Sequence, residues 1–247
     1  MSEPWNIKPE LTRQVDFITT FIIFCEDEVS EPIYFKYFET PLIKVNPIKR
    51  QKSKMSNVIN AICYCEQNGL MEAEKPLNCS DTQVWCVYDR DIEENESAIK
   101  EGNVSFNEAL KTANSRGIKV AWSNDSFELW VLLHFECIDV RDSRYKNRVT
   151  YYEKLTEIFK SLPNPNTDLV AALKHPSFNY KQDFKHENNF RNIVRKELVE
   201  RTQEAIKRAK EIEYFHSYHS KSNHEKSPCT FVHYLVEELI RKGGKKI

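Results

Sequence analysis

The sequence predicts an α/β protein: a parallel sheet of about four strands sandwiched by helices, followed by a mainly helical C-terminal region. Three observations predict it. Short apolar runs, rich in β-branched and aromatic residues, alternate with segments of helical spacing as far as about residue 136. Most neighbouring runs are separated by a helix-length crossover, which parallel strands require. From residue 150 onward the patterns are helical and no strand run stands out. The expected division is an α/β core over 1–140 and a helical region over 141–247 that packs on it.

The elements follow in order. "FITTFIIFC", from Phe17 to Cys25, is continuous and apolar, as a strand buried on both faces is. In "VSEPIYFKYFET" Ser30 is the expected helix cap, with Pro32 in the first turn. "LIKVNPI" is a second, shorter strand. "KMSNVINAICYCEQNG" carries Met55, Val58, Ile59 and Ile62 at helical spacing, with Gly69 just past its end. "TQVWCVYD" is the third strand, "VSFNEALKTANSRG" a helix stopping near Gly117, "IKVAWSN" the fourth strand and "SFELWVLLHFE" an apolar helix. Beyond them "TYYEKLTEIFKSL", "FRNIVRKELVERTQEAIKRAKEIEYF" and "TFVHYLVEELIRKG" read as helices. The mixed stretch "PNPNTDLVAALKHPSFNYKQDFKHE" separates the first two.

Composition narrows the function classes. The 247 residues are 40% hydrophobic with a formal net charge of -1, so global charge argues for neither a nucleic-acid nor a membrane partner. Any basic surface is local, as in "KRQKSK" or around Arg191, Arg195 and Lys196. No stretch approaches the ~18–20 apolar residues of a membrane helix, and "MSEPWNIKPE" lacks the basic-then-apolar order of a leader. A soluble cytoplasmic protein is expected. Seven cysteines, an odd count with no C-x-x-C pair, fit a reducing compartment better than a disulfide framework. Five glycines and neither a G-x-G-x-x-G nor a Walker loop argue that any ATP is bound by another chain.

The chemistry gathers at strand ends. Open parallel sheets bind ligands beyond the carboxyl ends of their strands. Glu26 directly follows the first strand, and "VWCVYDRD" closes the third with Asp89 and Asp91. On an extended backbone these aspartates point to one side, their Cα atoms about 6.5 Å apart. If the two strands are neighbours, Glu26, Asp89 and Asp91 converge, and three carboxylates repel unless protonated or bound to a cation. Hard oxygen ligands of this kind suit Mg²⁺ or Mn²⁺. The plainer alternative is pairing with an arginine, and Arg90 is at hand. Glu31 is a further ligand or general base, or simply an acid in the first helical turn. Glu128, after the expected cap Ser126, orients a water or a second metal, or again serves the helix end. Phe127, Trp130, Leu133 and His134 read as core. "HSYHSKSNH" reads as an exposed polar loop, and "HPSFNYKQDFK", with Lys174, Tyr180 and Lys181, as a packed loop or a single-strand contact.

Four segments carry a family resemblance: "FCEDEVSEPIYFKYF", "VWCVYDRDIEE", "AWSNDSFELWVLLHFE" and "SPCTFVHYLVEEL". In order and content they resemble the signature blocks of the RloB-like family over nearly the whole chain. The resemblance implies a Toprim-like core, linked to bacterial defence against phage and often encoded beside an ATPase. It also implies divalent metal held by a glutamate after the first strand and an Asp-x-Asp after the third, which fall on Glu26, Asp89 and Asp91. One departure stands out. Where the family carries glycine, an acid, lysine and threonine after that glutamate, this chain has Asp27, Glu28, Val29 and Ser30.

The function expected first is an Mg²⁺- or Mn²⁺-dependent nuclease acting on DNA or RNA, with Glu26, Asp89, Asp91, Glu31 and Glu128 as its acids. It would work with the ATPase of a neighbouring gene, and a homo-oligomer is compatible with it. The departure at Asp27 to Ser30 motivates the alternative, a non-catalytic nucleic-acid- or ATPase-binding subunit of a defence complex. A phosphotransferase of the haloacid dehalogenase kind ranks low. It wants the Asp-x-Asp after the first strand and Thr or Val two residues on, where this chain has Glu93.

Overall fold

The computed structural model describes residues 18–91 and 95–245; Phe17 and Glu93 lie outside the described residues. The core elements are β1 (Thr19–Cys25), α1 (Ser30–Lys36), β2 (Ile43–Ile48), α2 (Lys54–Gln67), β3 (Thr82–Asp89), α3 (Glu96–Ser115), β4 (Lys119–Asn124) and α4 (Glu128–Leu133). The C-terminal region adds α5 (Arg148–Ser161), α6 (Thr167–Leu173), α7 (Tyr180–Asp183), α8 (Glu187–Asn189), α9 (Arg195–Val199), α10 (Thr202–Tyr218), β5 (Cys229–Thr230) and α11 (Val232–Gly243). The fold is α/β: five strands in the order β2-β1-β3-β4-β5, the first four parallel and β5 antiparallel to β4.

The continuous apolar runs become strands because helices cover both faces. Phe24, Tyr88 and Trp122 share one face; Tyr64 of α2 meets Phe24 edge-on, and Phe106 of α3 meets both Tyr88 and Trp122. On the other face Gln83 donates to Glu238 of α11 (2.6 Å). Asn57 of α2, fully buried, donates from Nδ2 to the carbonyls of Val87 (3.1 Å) and Phe24 (3.4 Å), tying the carboxyl ends of β1 and β3 together. Those are the ends on which the acidic residues sit.

The structure corrects five expectations. The stretch "SPCTFV" contributes β5, a strand too short for alternation to show. Helix α3 starts at Glu96, a full two turns before the expected start, with the Asn95 side chain accepting from Ala98 N–H (2.9 Å). The long charged run from Phe190 is not one helix: a π-helical turn (Phe190–Val194) leads into α9, and α10 begins afresh at Thr202. Ser30 does not cap α1; Asp27 does, accepting from Val29 N–H (3.0 Å) and Ser30 N–H (3.2 Å). Within "HSYHSKSNH", His216 is buried in α10 with Nε2 against the Pro228 carbonyl (2.8 Å), while His219 is exposed. No described helix is long and apolar enough to cross a membrane.

Candidate active site

β1 and β3 are hydrogen-bonded neighbours, which is the condition on which the acidic residues meet. Glu26 leaves β1 and turns back: its Oε2 accepts from the backbone N–H of Asp89 (2.9 Å). Asp89, the last residue of β3, is fixed from the far side by Ser53 Oγ donating to its carbonyl (3.1 Å). Burial raises the Asp89 carboxyl well above the ordinary range, and the charges of Glu26, Glu31, Glu128 and Asp91 add to the rise. Burial raises Glu26 as well; the Asp89 N–H works against it and Asp91 with it. Glu31 is 1% exposed, and burial, then Asp27 and Glu26, lift its carboxyl well above the usual value. One of its oxygens accepts from Asp27 N–H (3.1 Å), so Asp27 and Glu31 secure each other across the first turn of α1.

Asp91 stands differently. The chain leaves the strand at Asp89 and takes φ of +49° at Asp91, a left-handed conformation open to aspartate at modest cost. The extended geometry that would point both aspartates the same way is therefore interrupted. Asp91 Oδ1 meets Arg148 Nη2 at 2.5 Å, and the same guanidinium holds Asp125 through Nη2–Oδ1 (2.6 Å) and Nε–Oδ2 (2.9 Å). The Arg148 N–H adds a bond to Asp125 Oδ2 (2.9 Å). Burial opposes the charge on Arg148, but Asp125 overcomes it and raises the guanidinium further. Arg90, the neighbour in sequence, turns toward α3, to Asn103 and the Ile99 carbonyl, and to the Asp91 carbonyl.

Glu128 is buried at the start of α4, with Ser126 Oγ donating to its Oε2 (2.8 Å) and Lys185 Nζ 2.5 Å from Oε1. Lys185 also lies 3.7 Å from Asp27 Oδ2. Burial works to raise Asp27, yet Lys185 and the Val29 and Ser30 N–H groups hold its carboxyl below the ordinary range.

The predicted acids are thus gathered at one end of the sheet, with Glu26 and Asp89 in direct contact through the Asp89 N–H and Glu31, Glu128 and Asp91 near enough to act on Asp89. Missed from sequence were Asp125, Arg148 and Lys185. Asp125 had a signal, since it follows β4 directly as Glu26 follows β1. The two cations had none, arriving from 57 residues beyond Asp91 and from the turn between α7 and α8. The Cys63 and Cys65 thiols are divided between surface and core, as their helical spacing requires. Tyr180 is wholly buried, so it is core and not a stacking platform.

Glu26, Glu31 and Asp89 offer hard carboxylate oxygens at the centre, and desolvation raises all three carboxyls. That chemistry fits a divalent cation at Glu26 and Asp89. With the side chains as they stand, however, the described residues contain no group of three or more His, Cys, Asp or Glu disposed to hold a metal ion. Asp91 and Glu128 are engaged by Arg148 and Lys185.

Fold and site define a class: an α/β protein with an acidic centre at the carboxyl ends of its parallel strands. A family model for the RloB-like proteins matches residues 21–239, most of the chain, and the chain belongs to that family. No curated protein and no solved structure matches it.

Proposed function

We propose that this chain is a divalent-cation-dependent nuclease that hydrolyses phosphodiester bonds in DNA or RNA at the ends of β1 and β3. The observation that carries this reading is the geometry around Asp89: it is half-buried at the end of β3, its N–H is held by Glu26, and its carboxyl, raised by desolvation and then by four neighbouring carboxylates, has no direct ion pair among the described residues. A group in that condition gains most from a cation. The Toprim-like resemblance implies Glu26, Asp89 and Asp91 as ligands for Mg²⁺ or Mn²⁺; with Asp91 engaged by Arg148, Glu26 and Asp89 carry the reading in this chain. When bound, the ion supplies Lewis acidity toward a phosphate oxygen. The chain's own residues divide the remaining work. Glu31 spends one oxygen on the Asp27 N–H and retains the other to hold or release a proton. Arg148 fixes Asp91, and its guanidinium suits a phosphate oxyanion. Glu128 fixes Lys185 at the rim.

The reading includes a cytoplasmic role in anti-phage defence with an ATPase partner encoded nearby, and it admits self-association. Family membership and the lack of a Walker loop in this chain support a separate ATPase. The test is direct. Purified protein should nick plasmid DNA, single-stranded DNA or RNA with Mg²⁺ or Mn²⁺, and Asp89→Asn should lower the rate at least about 100-fold, the scale on which an essential electrostatic group acts. Equal cleavage by the variant would count against the site.

The second reading, a non-catalytic subunit binding nucleic acid or an ATPase, is favoured by one observation: Arg148 already engages both Asp91 and Asp125. Co-purification with a neighbouring ATPase, together with no cleavage across several metals, would support it instead.

A further inference from the structure

Lys185 differs from the surface lysines around it. It sits in the turn between α7 and α8, and its neighbour Phe184 is wholly buried, edge-on to Phe159 (4.9 Å) and Tyr180 (5.7 Å). That anchor sets the backbone, and Nζ lies 5.9 Å from the Tyr152 ring centroid. The ammonium thus ends between Glu128 (2.5 Å) and Asp27 (3.7 Å), with the Lys185 side chain 33% exposed and that of Glu128 2%. Both acids are held from behind: Glu128 Oε2 by Ser126 Oγ, and Asp27 by the N–H groups of Glu28, Val29 and Ser30. Each therefore presents an oxygen to Nζ in a fixed position.

A second ion of a two-metal centre would need such a pair of convergent oxygens close to a first ion at Glu26 and Asp89, and the Glu128 charge does act on Asp89. Paired metals sit about 3.5–4 Å apart and share such an acid cluster. Magnesium needs its oxygens at about 2.0–2.1 Å. An ammonium 2.5 Å from Glu128 Oε1 fills that space. It is a compact point charge with three donors, able to serve several oxygens together.

We propose that Lys185 stands in for a second divalent cation, its Nζ bridging Glu128 and Asp27, so that this site takes one divalent ion and not two. Lys185 is then a positioning residue: it fixes Glu128 and Asp27 and supplies a permanent positive charge between them. On this assignment Glu128 is a lysine anchor and not a metal ligand. Arg148 plays the corresponding part for Asp91 and Asp125, which leaves Glu26 and Asp89 as the place for the single ion.

The assignment rests on the divalent-cation reading of the site, and a count of bound metal separates the two. Mn²⁺ titrated into the full-length chain, with free ion followed by electron paramagnetic resonance, gives the number of sites without any substrate. The wild type is expected to bind one Mn²⁺, Lys185→Arg one and Lys185→Met two. Glu128→Gln, which keeps the lysine and leaves the fold less disturbed, is expected to remain at one. A wild-type count of two, a count of one for a folded Lys185→Met, or loss of a site in Glu128→Gln would each overturn the assignment while leaving a metal-dependent site intact. A wild-type count of zero would remove the divalent-cation reading and the assignment with it.

Discussion

Half-buried Asp89 and buried His134 are both titratable, and their environments push stability in opposite directions with pH. The Asp89 carboxyl is raised in the folded chain, so the folded state holds its proton longer than the unfolded state does. Its contribution to stability is greatest at low pH and is lost as pH rises through the raised folded value. At neutral pH without a divalent ion the cluster therefore weakens the fold. Asp89→Asn should raise the melting temperature of metal-free protein, with each 1 kcal/mol recovered worth about 2–4 °C in a chain of this length. Scanning calorimetry in chelator checks it. His134 is held between the Tyr34 hydroxyl (3.1 Å) and the Trp130 carbonyl (2.8 Å), and burial pushes its pKa down to about 3. Here the folded state binds fewer protons. The stability is fully present above the unfolded value of about 6.5 and declines as pH falls toward the folded one, by about 1.4 kcal/mol per pH unit. In His134→Gln that slope should flatten; urea unfolding at several pH values between 4 and 7 would read it.

At the scale of elements, the first residue of α5 does more for the site than any residue near it in sequence. Arg148 is 32% exposed and Asp125 3%, so this is a partly buried bridge, and removing the arginine strands an aspartate. Arg148→Met is expected to cost about 2–4 kcal/mol, below the full range for a wholly buried pair because solvent reaches the guanidinium. The loss should shrink when Asp125→Asn is added, and a double-mutant cycle in urea measures the coupling. The same bridge marks the boundary of what sequence reveals. β1 and β3 were legible because each is a continuous apolar run between helical segments, and Glu26 and Asp89 were legible because they end those runs. Asp91 was found by spacing, but its turned backbone depends on contacts that spacing does not carry. Arg148 and Lys185 were invisible for a simple reason: an ion pair between distant segments leaves no local pattern. The early start of α3 was hidden by a polar first turn and by Gly102, buried within the helix. The break before α10 lies in a run whose charges keep helical period throughout.

For the whole molecule, the C-terminal region finishes what the N-terminal part begins. It supplies β5 to the edge of β4, stacks Phe231 on Trp122 (4.5 Å between centroids), and lays α11 beside β4 and β2. It also brings the two cations that pair with four of the acids at that end of the sheet. A chain ending at residue 140 would expose the faces those helices cover and take Arg148 away from Asp125 and Lys185 away from Glu128. Such a fragment is expected to lose cooperative unfolding, which circular dichroism in a urea series would show as a broad, shallow transition. Cation, fold stability and cleavage are then linked through one group. The most direct measurement is the melting temperature of wild type and Asp89→Asn, each in chelator and in millimolar Mn²⁺. The account predicts a lower melting temperature for wild type than for the variant in chelator, and a rise on adding Mn²⁺ in wild type alone. A wild type that is the more stable of the two without metal, and that does not respond to Mn²⁺, would contradict it.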